Sequence, residues 1–255
     1  MDMIYMKERT RDFYFYTLFG VPYNIAKERP EEDQIRLCAH RAYADLSRTI
    51  DYYRSSSWLE DHKKTDEAKS FIKLKQDFKA KVRDHLATSI NKLFLCTSQK
   101  DFDEWHECCC TKIEKEAQKP GLIKEGKMFT YGQAQKWVNM TLKYMDISGF
   151  WDHKDQFTGL RQFLHIPVDS YILEASAGYD IFLPRADGKE NSTYSESTSK
   201  KWSNWTKDDY KAFIGIGQVS DNSLKTKTSN LPDWEDENWI SIAWKNSAMN
   251  PDNKK

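Results

Sequence analysis

Phe71, Leu74, Phe78, Val82, Leu86, Ile90 and Leu93 recur at steps of three and four, with charged residues filling the positions between them. That spacing is the apolar stripe of an amphipathic helix and predicts one over 65–95. A second stripe, Ile35, Cys38, Ala39, Ala42, Leu46 and Ile50, predicts a helix over 31–53. Pro30 followed by Glu31, Glu32 and Asp33 suits its first turn, where proline loses no hydrogen bond and acids meet the positive end of the helix dipole. Ser98 is placed to cap a helix over 101–117, which Pro120-Gly121 ends. Further helices are predicted over 133–145, 170–177, 206–214 and 233–244, the last with Trp234, Trp239, Ile242 and Ala243 inward. The aromatic run 12–19 fits either a strand or a buried helix. Segment 149–164 reads as irregular, 221–230 as a polar loop, and 247–255 as frayed. The Ser-, Thr-, Gly- and Lys-rich stretch 187–201 reads as the clearest exposed loop. The chain is therefore expected to be mainly α-helical.

Composition narrows the classes. The 255 residues are 39% hydrophobic and 31% charged, and 14% are aromatic, including nine Trp. Large rings can offset a modest aliphatic count because each buries much area. Formal net charge is zero, so a nucleic-acid partner would have to meet a local basic face. No apolar run approaches the ~20 residues of a membrane span, so no membrane partner is expected. The first ten residues lack the pattern of a signal peptide. Five cysteines, three of them adjacent at 108–110, make a poor disulfide framework, and reduced thiols in a cytoplasm are expected.

Most common catalytic motifs are absent. There is no P-loop, no GxGxxG after a strand, and no HExxH, GxSxG or kinase signature. His106 and Cys110 share a helix face, but two ligands do not make a zinc site and no CxxC occurs, so no metal or other cofactor is expected.

Two segments carry chemistry. In 128–145, Ala134, Trp137, Val138, Thr141, Tyr144 and Met145 fall on one helix face, and Lys136, Asn139 and Lys143 on the other. Lys136 lies near the helix start, where the dipole opposes its charge, and a lysine nucleophile must be neutral. In 165–173, Pro167 precedes Asp169 at a helix start, where free amides can fix a carboxylate. The plainer alternatives are a solvated lysine on an ordinary core helix and a simple N-cap aspartate.

Together these segments resemble the helix-hairpin-helix DNA glycosylase superfamily. Gly132-Gln133-Ala134-Gln135-Lys136 is similar to the end of the family's hairpin, with its lysine on the following helix. Ile166-Pro167-Val168-Asp169 is similar to its apolar-Pro-x-Asp segment. Ala134 stands where the pattern has a second glycine, and Phe129-Thr130-Tyr131 where it has leucine-proline. The spacing of 33 positions between lysine and aspartate is most similar to the archaeal oxidised-guanine glycosylase branch. The resemblance extends to bacterial defence enzymes that remove modified bases from phage DNA.

The resemblance implies one helical domain over 1–255, a bundle in two closely packed lobes sharing a cleft, with 128–180 as hairpin and catalytic segment. It implies Lys136 and Asp169 as catalytic residues. DNA, duplex with a flipped base or single-stranded, would meet Gly132, Gln133, Gln135, Lys127, Asn139 and Lys143. Trp137, Trp151 and His165 are candidates for the base pocket. Seven lysines against three glutamates over 111–143 are expected to line one surface facing phosphates. The competing class is a non-enzymatic helical protein that binds other proteins or nucleic acid, with Lys136 exposed and Asp169 only a cap. The sequence does not give an oligomeric state.

Overall fold

The architecture is seen in a computed structural model, which describes residues 3–149, 154–179, 181, 183–187, 190–191, 198–217, 221–228, 230–247 and 249–250. These residues form twelve α-helices and one two-stranded pairing. The helices are α1 (Met3–Phe19), α2 (Tyr23–Lys27), α3 (Glu31–Leu46), α4 (Ser56–Asp61), α5 (Asp66–Leu93), α6 (Gln99–Ala117), α7 (Tyr131–Ser148) and α8 (Lys154–Leu160). After them come α9 (Ser170–Ser176), α10 (Lys207–Ile214), α11 (Leu224–Lys227) and α12 (Leu231–Lys245), with β1 (Leu183–Pro184) and β2 (Glu190–Asn191) between α9 and α10. The mainly helical expectation holds.

Helix starts follow their capping chemistry. Thr65, Ser98 and Thr206 each accept a hydrogen bond from the amide three residues on, at the starts of α5, α6 and α10. This satisfies a backbone donor that the helix itself leaves open. Thr130 and Gln133 form a reciprocal capping box at the start of α7, and Gly149 ends that helix in a left-handed conformation, φ 59°.

The core is one continuous cluster. Helix α3 packs on α5 and α7, α6 packs on the same two helices, and α9 packs on α12. Helix α7 runs through the middle. Its buried side chains include Trp137, Val138 and Leu142 and also the polar Gln133, Gln135, Lys136, Asn139 and Thr141. Such polar groups stay buried only when their hydrogen-bonding capacity is used inside the protein.

Several expectations need correction. The stretch 12–19 is helical, but only Phe15 and Phe19 of its aromatic rings are buried, while Phe13, Tyr14 and Tyr16 are exposed. Helix α3 stops at Leu46 and tightens into a 3-10 turn over Ser47–Thr49. In 149–164, Lys154–Leu160 is helical and buries Phe157 and Leu160. The 187–201 loop is tied back at its end: Lys200 N donates to Pro184 O at 2.7 Å and Ala186 N to Thr198 O at 3.1 Å. Ser199 is buried there, and positions 188–189 and 192–197 lie outside the described residues. In 221–230, α11 buries Leu224 completely. The connection between α6 and α7 spans 118–130 and is far from a tight hairpin. No helix among the described residues is long and apolar enough to cross a membrane.

Candidate active site

Lys136 projects from the second turn of α7 toward the start of α9. Its Nζ lies 2.8 Å from Asp169 Oδ2, and the two side chains are 7% and 12% exposed. Asp169 caps α9 as its position predicts: Oδ1 accepts from the amides of Tyr171 at 3.0 Å and Ile172 at 3.1 Å. Oδ2 accepts from Lys136 and also from Trp239 Nε1 on α12 at 3.2 Å. Four donors on two oxygens hold the carboxylate in one orientation. Trp202 lies against the lysine, with Nζ 4.9 Å from its ring centroid.

The segment carrying Asp169 is locked to α7 by side-chain amides. Gln135 Nε2 donates to Val168 O at 3.2 Å, and its Oε1 accepts from Val168 N at 3.3 Å. One side chain thus pairs both polar groups of one residue, much as a neighbouring strand would. Asn139 Nδ2 donates to Ile166 O at 2.9 Å. Asn139 Oδ1 lies 3.0 Å from His106 Nε2, so that nitrogen carries the proton.

These contacts correct most of the expected DNA contacts. Gly132, Gln133, Gln135 and Asn139 are buried and internally committed. Gly132 N donates to Trp205 O at 3.0 Å, so it does not face a phosphate. Gln133 Nε2 donates to Thr49 O, fixing the turn after α3. Lys127 is exposed near Asp51, at 4.0 Å, on the connection before α7. Trp137 has no exposure and donates Nε1 to Ala39 O at 2.9 Å, so it is a core residue and not a stacking platform. His165 is also buried, 2.9 Å from Asp103, and burial pushes its pKa down to about 4. Trp151 lies outside the described residues. The lysines of 111–143 do not share one surface. Lys112 and Lys115 sit on α6, Lys119 pairs with Glu116, Lys136 is buried, and Lys143 reaches α12.

Lys136 and Asp169 line a cleft of about 780 Å³ between α3, α7, α9 and α12. Trp202, Trp239 and Tyr171 form apolar walls, and Arg41, Arg48, Lys143, Asp45 and Glu235 contribute charge. Arg41 pairs with Asp45 at 2.7 Å and Lys143 with Glu235 at 2.7 Å. Glu235 is 4% exposed. Burial pushes its carboxyl up to about 7, against the opposing pull of Lys143, so a proton can enter or leave it near neutrality. Glu235, Trp202, Arg41 and Arg48 do not stand out as site residues in the sequence. Glu235 had a faint signal: it lies four residues before Trp239 and next to Trp234, on the inward stripe of α12.

The cysteine run behaves as packing. Cys109 and Cys110 are buried, Cys108 is exposed, and all are free thiols. No group of metal-ligating residues occurs among the described residues. No protein-family model, curated protein or solved structure matches this chain.

Proposed function

We propose that the chain is a DNA glycosylase that excises a damaged or modified base, with Lys136 as nucleophile and Asp169 as its partner. The observation that carries this reading is the Lys136–Asp169 contact of 2.8 Å at the wall of a large cleft. A lysine nucleophile needs a shielded amine, an adjacent group to manage its proton, and space for the reacting carbon. A cleft of about 780 Å³ has room for a nucleoside turned out of the stack, and Trp202, Trp239 and Tyr171 offer ring surface to it.

In this mechanism Lys136 first passes its ammonium proton to Asp169 Oδ2, and the neutral amine attacks C1′ of the flipped nucleotide. The C1′–nitrogen bond to the base breaks, and the base leaves with that electron pair and takes up the proton from Asp169, which becomes a carboxylate again. Asp169, 2.8 Å from Nζ, opposes the positive charge that grows on the sugar. Opening of the sugar ring then gives an imine between C1′ and Lys136, which either hydrolyses or permits strand cleavage.

Borohydride reduces an imine to a stable amine, so the chain incubated with substrate DNA and borohydride should yield an adduct mapped to Lys136. The substrate panel should include oxidised, abasic and hypermodified phage DNA. Lys136→Gln should abolish the adduct. Asp169→Asn should slow its formation by two orders of magnitude or more, within the range for loss of one electrostatic partner. No adduct and no released base across the panel would reject the reading.

A second reading, a structural tie in a non-enzymatic helical protein, is favoured by the completeness of Asp169's four hydrogen bonds. Stability alone does not separate the two. An Asn at 169 that keeps the cap bonds turns an NH2 toward the Lys136 ammonium, so both readings expect destabilisation. The adduct and the released base distinguish them.

A further inference from the structure

A second groove, of about 570 Å³, lies beside the cleft. The 3-10 turn after α3 separates the two. Thr49 faces the cleft, Ile50 to Tyr53 face the groove, and Arg48 lines both. The groove wall is rigidly built. Tyr53 N donates to Leu122 O at 3.0 Å, and Lys124 N donates to Asp51 O at 2.9 Å. Those bonds fix Lys124 at the rim. Lys75 enters from α5 with its Nζ 4.2 Å from the Tyr52 ring centroid.

Cations outnumber acids in this groove. Arg48, Arg54, Lys75 and Lys124 line the groove against a single acid, Asp51. Arg54 is committed to Glu67 and stacks on Tyr53 and Trp58, at 4.2 and 4.3 Å from their ring centroids. Among the described residues, Arg48, Lys75 and Lys124 have no carboxylate within ion-pair distance. In the cleft, by contrast, Arg41, Lys136 and Lys143 are each matched to an acid, and Arg48 alone is not. Part-burial lowers the pKa of Lys75, a cost that an arriving anion would relieve. The hydroxyl of Ser56 adds a donor suited to a phosphate oxygen, whereas Ser47 donates to Ala44 O and Ser55 caps α4. The rings are less free for bases, because Arg54 lies over Trp58 and His62 stacks on it at 4.4 Å.

We propose that this groove binds the phosphodiester backbone of the strand whose nucleotide enters the cleft, with Arg48 spanning the step between the two. The assignment rests on the glycosylase reading and gives it a substrate track that the zero net charge of the chain conceals. Phosphates flanking a flipped nucleotide must leave the cleft on some side. This is the side where unpaired cations continue.

The test is an anisotropy titration of the full chain with a labelled oligonucleotide carrying a non-cleavable abasic analogue, at a series of salt concentrations. Lys75→Gln with Lys124→Gln should weaken binding about tenfold or more. It should also make the slope of log affinity against log salt shallower by roughly 1.5, since each lost phosphate contact removes about 0.7–0.9. Lys75→Arg with Lys124→Arg keeps both charges and should retain the wild-type slope, which separates charge from folding. Lys112→Gln with Lys115→Gln, on α6, should match wild type. If wild type binds but the groove variant shows the same affinity and slope, the groove assignment is overturned and the glycosylase reading stands. If wild type fails to bind at low salt, both fall.

Discussion

At the scale of single residues, the site is a set of charges taken out of water and matched to one another. Lys136 meets Asp169, Lys143 meets Glu235, and Arg41 meets Asp45. Glu235 gives the sharpest test, because burial raises its pKa from 4.5 to about 7. A raised carboxyl pKa means the folded state holds the proton more tightly than the unfolded one. Its stabilisation is therefore fully present below pH 4.5 and is lost as pH rises through about 7, amounting to up to about 3 kcal/mol. His106 and His165 have the opposite sign. Burial holds both neutral, so their contribution is present above pH 6.5 and lost on acidification. The raw stability curve mixes these effects, whereas the difference between wild type and Glu235→Gln isolates one. Denaturant melts should show wild type losing ground to the variant between pH 4 and 8, and a difference independent of pH would place Glu235 outside the buried pair. Asp169 as a cap was legible in the sequence because its partners are the next residues along. Glu235 was not, because its burial depends on Lys143 in a helix 92 positions earlier.

At the scale of elements, Gly132 shows how closely α7 is held. A Cβ there would meet Trp202 O at 1.9 Å, and backbone cannot rotate aside. Gly132→Ala should therefore push the 202–205 segment off α7, at a cost of about 2 kcal/mol or more. Trp202 would move away from Lys136, so the reducible adduct should fall along with the melting temperature. A variant with wild-type stability and adduct yield would show that the contact is not as tight as described. The glycine looked like a hairpin residue in the sequence because local pattern does not reveal a contact across 70 residues. The same limit explains the other misses. Helices α5, α6 and α10 were legible, since caps and apolar stripes are local. The outward aromatic face of α1, the β1–β2 pairing and the early end of α3 were not, since each depends on what does or does not pack against the segment. Gln135 and Asn139 were expected to meet DNA, yet they are the clamps that set Asp169 opposite Lys136.

At the scale of the whole molecule, the cleft draws residues from 41 to 239 into one wall, and the core beneath it is one continuous cluster. No short segment contains the site, so occupancy of the cleft should be felt by the entire fold. A ligand that binds only the folded state at 100 times its Kd adds about 2.7 kcal/mol. For a domain of this size, each kcal/mol moves the midpoint by about 2–4 °C. An oligonucleotide with an uncleavable abasic analogue should therefore raise the melting temperature by about 5–10 °C in a single transition. Unmodified duplex at the same concentration should raise it less, because it must first give up a stacked nucleotide. Two transitions, only one of them shifted, would mean that the cleft rests on part of the chain and that the single core does not unfold as a unit. A single unshifted transition at saturating DNA would mean that nucleic acid does not occupy the cleft. In that case the buried Lys136–Asp169 pair would act as a clasp between α7 and α9.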